Sequence, residues 1–298
     1  IFTNICRKKK FEMKIYVIIP IYNEASFLEK SINSFINQTF IPKKIIYVDD
    51  NSNDSSKNII YKFSQKFDWI DLIQIESTNQ HIPGSKIINA FNKGLKSLDN
   101  DYDIVCKFDG DIILPNDYFE KLSKIFINKK SVGIAGGNMY ILKNNKWIYE
   151  NISSKNHVRG PIKAYRKQCF FDIGGLKAHI GWDTLDVLLA KKNGWKVFTD
   201  KNLHVKHLKR TGSSYTFKSK FLQGIALYCM RFGIRLSALT LIKSSYNSLD
   251  ITKLFFGVSG YIYSFITRKE PIVTVSEGEF IRNYRWNSFK KILSKKLK

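Results

Sequence analysis

The sequence predicts an α/β fold: a mostly parallel sheet flanked by helices, followed by a basic helical extension at the C-terminal end. Three observations predict it. Short apolar runs alternate with stretches of helical periodicity from residue 14 to about 130, two of those runs end in clustered carboxylates, and positive charge gathers in the last third of the chain.

The first run, Ile15 to Pro20, followed by Ile21, Tyr22, Asn23 and Glu24, reads as a buried strand ending in a polar turn. Phe27, Leu28, Ser31, Ile32, Phe35 and Ile36 then recur at helical spacing, and Pro42 closes that segment before a strand at 44 to 48 that runs into VDDNSNDSS. Asp54 or Asn53 can cap a helix carrying Ile59, Ile60 and Phe63, and residues 70 to 75 form a third strand. A loop with Pro83 and Gly84 opens a helix from about 86 to 98. The next strand, at 103 to 108, delivers Asp109-Gly110-Asp111, and Pro115 starts a further helix to about 127. In open α/β sheets ligands gather beyond the carboxyl ends of the strands, so these paired carboxylates offer a seat for a hard divalent cation that also grips phosphate oxygens. Read alone, Asp-Gly-Asp is also an ordinary turn.

After Val132 the pattern changes. GIAGGNMYIL reads as a strand whose glycines admit close backbone approach, and residues 141 to 163 read as a polar, irregular loop over the site. AYRKQCFFDIGGL reads as a short helix ended by Gly174 and Gly175. In GWDTLDVLLAKKNGW, Asp183 and Asp186 stand three apart, so the spacing puts both on one face at a helix start, where the macrodipole also favours acids.

Composition narrows the partners. At 298 residues, 44% apolar and 25% charged, the chain can bury a sizeable core, but its net charge of +24 is extreme. From residue 191 onward there are 22 Lys and Arg against 5 Asp and Glu, which is +17 of that total and calls for an anionic partner. Cys6, Cys106, Cys169 and Cys229 form no CxxC pair, which argues against a zinc knuckle or a disulfide framework and for a reducing, cytoplasmic compartment. No GxGxxG follows the first strand and no GxxxxGK[ST] occurs, which weakens dinucleotide and P-loop readings. Residues 1 to 12 carry no recognisable cleavage site and read as an extraneous or disordered extension.

VIIPIYNE at 17 to 24, YVDDNSNDS at 47 to 55, KFDGD at 107 to 111, and GWDTLD followed by GWKV at 194 to 197 together resemble the family-2 glycosyltransferases of GT-A fold, in order and spacing, over roughly residues 14 to 210. The resemblance implies a Rossmann-like, mixed but mostly parallel sheet and an inverting transfer from a nucleotide-diphosphate sugar, a UDP-sugar above all. Tyr22 would stack on the base, Asp50 would accept from a base N–H, and Pro20, Asn23 and Glu24 would line the same pocket. Within the family's DxD position, Asp111 would ligate Mg²⁺ or Mn²⁺ and Asp109 would contact the ribose or the ion's waters, with Gly110 between them. His207 would reach the ion or diphosphate, with His204 as its competitor, and Lys209 and Arg210 would close over the phosphates; Lys86 would touch phosphate or stay solvated. Asp183 falls on the Asp of the family's Glu-Asp pair and becomes the first candidate for catalytic base, with Asp186 as the alternative. Trp182 stands where the family has Glu.

The tail, residues 211 to 298, holds apolar stretches at 221 to 242 and 254 to 266 that are too short or too charged to span a bilayer. Phe280, Ile281, Tyr284, Phe289, Ile292 and Leu293 follow helical spacing among Lys and Arg, as in a helix resting on an anionic membrane surface or capping residues 13 to 210. The expected function is therefore a transferase adding sugar to a glycan or lipid-linked acceptor in cell-surface polysaccharide synthesis, peripheral on the inner face of the cytoplasmic membrane. The alternative is a non-catalytic basic protein that binds membrane or nucleic acid on a degenerate transferase scaffold; with no nucleic-acid recognition module in the sequence, nucleic acid is not the expected partner.

Overall fold

The computed structural model describes residues 13–76, 84–151, 157–209 and 217–296. The extension at 1–12 and Pro83 lie outside the described residues. Strands β1 (Ile15–Ile21), β2 (Lys44–Asp50), β3 (Ile70–Ile75) and β4 (Ile104–Phe108) lie parallel in the order β3-β2-β1-β4, joined through helices α1 (Ala25–Ile36), α2 (Ser56–Ser64) and α3 (Ser85–Lys96). Both faces of β1 are covered. Tyr16 and Ile18 point into one core with Ile88 and Phe91 of α3, while Ile15, Val17 and Ile19 point into another with Leu28 and Ile32 of α1. This is why the run reads as continuously apolar rather than alternating. Gly94 lets α3 lie against the sheet, since a Cβ there would stand 2.7 Å from methyls of Ile18 and Val48.

Beyond β4 the sheet becomes mixed. β5 (Ile112–Ile113) follows the Asp-Gly-Asp turn, then come α4 (Tyr118–Asn128), β6 (Val132–Lys143), β7 (Lys146–Tyr149), β8 (Ile162–Arg166), α5 (Lys167–Asp172), α6 (Trp182–Lys192) and β9 (Lys196–His207). β8 runs antiparallel between β4 and β6, β9 lies parallel to β6, and β5 pairs antiparallel with the end of β9. Three expectations are corrected here. The Ala164-Tyr165-Arg166 stretch is strand rather than helix, because Ala164 and Tyr165 fill the sheet between β4 and β6, and the helix starts only at Lys167. The loop expected at 141 to 163 contains β7, a hairpin partner of β6 turned by Asn144 and Asn145 at φ 49° and 58°, a left-handed pair that asparagine tolerates. And β9, not anticipated as a strand, completes the sheet.

The last helices, α7 (Phe217–Cys229), α8 (Ile234–Ser248), α9 (Thr252–Ile266) and α10 (Val275–Lys296), share one core with α6: Ala226, Leu227, Met230, Leu236, Leu241 and Ile281 join Leu185 and Leu188. The stripe on α10 expected to meet a membrane turns inward instead, with Ile281 fully buried and Tyr284 and Phe289 packed on that core, as a capping helix requires; the side chains of Ile292 and Leu293 lie outside the described residues. The outward apolar surface lies on α8 and α9, where Tyr246, Leu249, Phe255 and Ile266 are exposed. Among the described residues no helix is long and apolar enough to cross a membrane.

Candidate active site

The site forms where the carboxyl ends of β1, β2 and β4 meet the start of α6. The β1–α1 and β2–α2 turns are tied to each other: Asn23 N–H donates to Ser52 Oγ at 2.9 Å, Asn53 N–H donates to Asn23 Oδ1 at 2.9 Å, and Glu24 N–H donates to Ser56 Oγ at 2.9 Å. Asn23 accepts a φ of 53° to do so. Asp49 takes the Ser52 hydroxyl and shapes the turn, and Asp50 is buried at the end of β2. Pro20 sits within β1, and Tyr22 is 57% exposed at its end, so its ring does not pack in the core.

The Asp109-Gly110-Asp111 turn lies against this rim. A Cβ on Gly110 would stand 2.3 Å from Ile21 Cδ1, so the turn lies directly against the end of β1. Asp111 is buried, and the pairing of Ile112 with His207 across β5 and β9 brings His207 Nε2 to 3.4 Å from Asp111 Oδ2. The other imidazole nitrogen stands 3.0 Å from Glu150 Oε2, and Glu150 in turn pairs with Arg159. Burial opposes the imidazolium, but the Asp111 and Glu150 carboxylates outweigh it and raise His207 to about 9. Glu24 joins the cluster from the β1 side. Burial and then the negative charge of Asp111 push its carboxyl up to about 7, against the pull of Lys209, whose Nζ reaches Glu24 Oε1 at 3.2 Å; Glu24 Oε2 is buried with no hydrogen-bond partner. Lys209 thus already spans from the end of β9 to the β1 rim. Arg210 lies outside the described residues. His204 does not share the place of His207: its Nε2 lies 2.9 Å from the carbonyl of Lys201.

On the other side of the crevice, Asp109 N–H donates to Pro161 O at 3.0 Å, and Gly160 beside it lies so near α6 that an added Cβ would stand 3.1 Å from the Trp182 ring and 3.6 Å from Asp183 Cβ. The DGD turn and the first turn of α6 are therefore separated by one short segment. Two lysines are buried beneath it. Lys107, 1% exposed, pairs with Asp109, and Lys163, its cross-strand neighbour on β8, pairs with Asp186 at 2.7 Å and donates to Asp183 O. Both ammonium groups lie over the Trp182 ring, 5.2 and 5.4 Å from its centroid. Next to them His157 is held neutral, down at about 4, by burial and by the positive charge of Lys163.

The two α6 aspartates part company. Asp183 is half-buried at the crevice, whereas Asp186 is fully enclosed, with both oxygens met by Lys163, one also by the Tyr165 hydroxyl, and Oδ1 by its neighbour's N–H. Burial pushes the Asp186 carboxyl up even though Lys163 and Tyr165 favour its ionised form. Asp186 is thus a saturated group buried behind Asp183; both lie at the start of α6, and Lys163 touches the carbonyl of one and the carboxylate of the other. Lys86 is half-buried in the first turn of α3, which docks on the segment leading into α6 through Ser85 Oγ donating to Ala178 O at 2.8 Å. Sequence reading missed Glu150, Arg159, Lys107 and Lys163. For Lys107 a signal existed, since a cation inside an apolar strand must have a buried counter-charge.

The donors at the DGD turn fit a divalent ion in part. Asp111 and His207 offer a hard oxygen and an imidazole nitrogen side by side, and the orphaned Glu24 oxygen marks uncompensated negative charge nearby. Among the described residues no three His, Cys, Asp or Glu side chains form a ready-made cage, so diphosphate oxygens and water would complete the shell.

Comparison with known proteins bears on the family and the fold. A family model described as glycosyl transferase family 2 matches residues 16–179. The glycosyltransferase GlyA of Streptococcus pneumoniae is 26% identical over 242 residues, 71% of this chain and 33% of its own length, so the chain spans about a third of that relative. Among solved structures, residues 1–349 of S. aureus TarS in complex with UDP-GlcNAc superpose with a TM-score of 0.54 at 22% identity, over 72% of this chain and 67% of that one. The mannosyltransferase PcManGT of Pyrobaculum calidifontis, in complex with GDP-Man and Mn²⁺, superposes with a TM-score of 0.55 at 15% identity, over 94% and 81% of the two chains. At those identities the likeness is one of fold.

Proposed function

The chain belongs to glycosyl transferase family 2, and from that membership we propose that it is an inverting, metal-dependent transferase that moves a sugar from a nucleotide-diphosphate sugar to a hydroxyl of a glycan or lipid-linked acceptor. The observation that carries this reading is the convergence of Glu24, Asp109, Asp111 and Asp183 on one crevice with two buried lysines behind it. A nucleotide fits the rim: Tyr22 stacks on the base, Asp50 accepts from a base N–H, Pro20, Asn23 and Glu24 line the pocket, and Asp109 faces the ribose. A UDP-sugar is the favoured donor because the TarS structure holds UDP-GlcNAc. Mn²⁺ or Mg²⁺ would be held by Asp111 and His207, and it would supply charge neutralisation for the departing diphosphate. Lys209, already reaching Glu24, closes over the phosphates. Asp183 takes the proton of the acceptor hydroxyl, and the Lys163 contact to its backbone carbonyl fixes the turn that carries it.

Two variants separate the roles. Asp111→Asn should lower ion-dependent release of nucleoside diphosphate by about 10²-fold or more, whereas Asp183→Asn should keep donor affinity by calorimetry and lose transfer by about 10²- to 10⁴-fold. Full transfer by the Asp183→Asn protein would move the base elsewhere, and ion-dependent release that survives Asp111→Asn would remove Asp111 from the ligand set.

The outward face of α8 and α9 supports a peripheral seat on an anionic bilayer at the inner face of the cytoplasmic membrane. Phe255, Ile262 and Phe265 are exposed there, with Lys253, Arg268 and Lys269 on the same helix or directly after it. The intact chain should sediment with anionic phospholipid vesicles and lose most of that binding on Phe255→Glu or in high salt. Equal binding by the variant would assign this face to something other than lipid.

A further inference from the structure

Beside the crevice, on the far side of the α6 N-terminus, lies a cavity of about 260 Å³ between α6, α7, α8 and α10. Its walls are apolar where Leu227, Met230, Phe232 and Phe289 line it, and two cations, Lys243 and Arg285, enter it. Among the described residues no carboxylate lines it. Among the described residues neither cation has an acidic partner. Lys243 lies over the Phe289 ring at 5.7 Å and Arg285 over the Phe232 ring at 5.8 Å, and the Arg285 Nε is buried without any hydrogen-bond acceptor. A guanidinium and an ammonium on one largely apolar wall, with no carboxylate among the described lining residues, favour an anionic ligand there. Gly181 and Thr184 complete the wall, and they bracket Trp182 and Asp183. Arg285 is also close enough to His157 for its charge to act there, beside Asp183 and Lys163, so cavity and crevice share a boundary.

We propose that this cavity receives the phosphate and first lipid carbons of a lipid-linked glycan acceptor, with Arg285 and Lys243 on the phosphate, Leu227, Met230 and Phe289 along the chain, and the glycan hydroxyl left on the Asp183 side of the shared boundary. The inference rests on the transferase reading and specifies its acceptor. The cavity has room for only on the order of ten heavy atoms, so the rest of a long chain runs outside it, and α8 supplies a continuation, since Ile242 and Tyr246 are exposed on the helix that contributes Lys243. A polyol phosphate would satisfy the cations but leave the apolar wall uncovered; an uncharged alcohol would do the reverse.

The test is calorimetric titration of the full chain, without donor, by citronellyl phosphate, citronellol, glycerol phosphate and inorganic phosphate. Citronellyl phosphate should bind at least about tenfold more tightly than each of the other three, and Arg285→Gln or Lys243→Gln should each weaken it by about tenfold. Lys243 is exposed, so its replacement keeps the test open should the Arg285 variant fold poorly, and Arg285→Lys should restore part of the affinity. Citronellol binding as tightly would leave only an apolar cavity, glycerol or inorganic phosphate binding as tightly would leave only an anion site, and unchanged affinity in both variants would remove the two cations; each outcome overturns the proposal. Donor hydrolysis by the wild-type chain without acceptor is measured alongside. Hydrolysis without citronellyl phosphate binding refutes the lipid acceptor and spares the transferase, while binding without hydrolysis leaves a lipid phosphate site but removes the transferase reading that makes its occupant an acceptor, and so overturns the proposal too.

Discussion

Asp111 and Asp186 are both buried aspartates within reach of a basic side chain, yet their surroundings differ in one respect. Around Asp186 each acceptor is taken up by Lys163, the Tyr165 hydroxyl or a backbone N–H. Around Asp111 the network is left open: the imidazole stands 3.4 Å away, Glu24 adds a second negative charge, and one Glu24 oxygen has no partner. Burial alone therefore says little about role. A closed network holds the fold, and an open one of the same residue types waits for a cation or a ligand.

The comparison breaks first at the closed network. Asp186→Ala should cost about 3–5 kcal/mol of unfolding free energy, because it strands the Lys163 ammonium in the sheet. Urea unfolding measures it, and the paired replacement Lys163→Met with Asp186→Leu should recover most of the loss. A cost below about 1 kcal/mol for the single variant would mean that Asp183 O and the Trp182 ring suffice for the lysine, and Asp186 would no longer count as structural.

A smaller effect sharpens the open side. The Glu24 carboxyl titrates near 7 in the folded chain against an ordinary value of 4.5, so the folded state prefers it protonated. Its contribution to stability is complete below about 4.5 and fades as pH rises through about 7. In the absence of divalent ions, Glu24→Gln should flatten the decline in melting temperature between those limits, and an added ion should stabilise the wild type more than the variant. Parallel melting curves for the two proteins across that range would show that Glu24 does not sense Asp111.

Much of the nucleotide-side rim is legible in the amino-acid sequence. The apolar runs that end at Glu24, Asp50 and Asp109 are strands buried on both faces, so their register with the carboxylates can be read directly from the letters. Position 163 is not legible, since a lysine in a stretch without periodicity reads as loop; only its pairing with Asp186 across α6 reveals why it is there. Three-residue spacing places Asp186 beside Asp183 but cannot tell that Asp186 is the buried one, which only its pairing with Lys163 shows. β9 carries an alternation that could have marked it as a strand, with Leu203, Val205 and His207 buried and Lys206 outside. The inward turn of α10 depends on long-range packing that amphipathicity alone does not specify.

The two-residue strand β5 has a consequence for how the molecule comes into being. Asp111 meets His207 only because Ile112 pairs with the final residue of β9. During synthesis the strands β1 to β4 can therefore pack early, while the Asp111–His207 pair has to wait until the last strand has emerged and paired beside β6. A nascent chain that has folded only its first half would carry the acidic turns after β1, β2 and β4 without His207 beside Asp111.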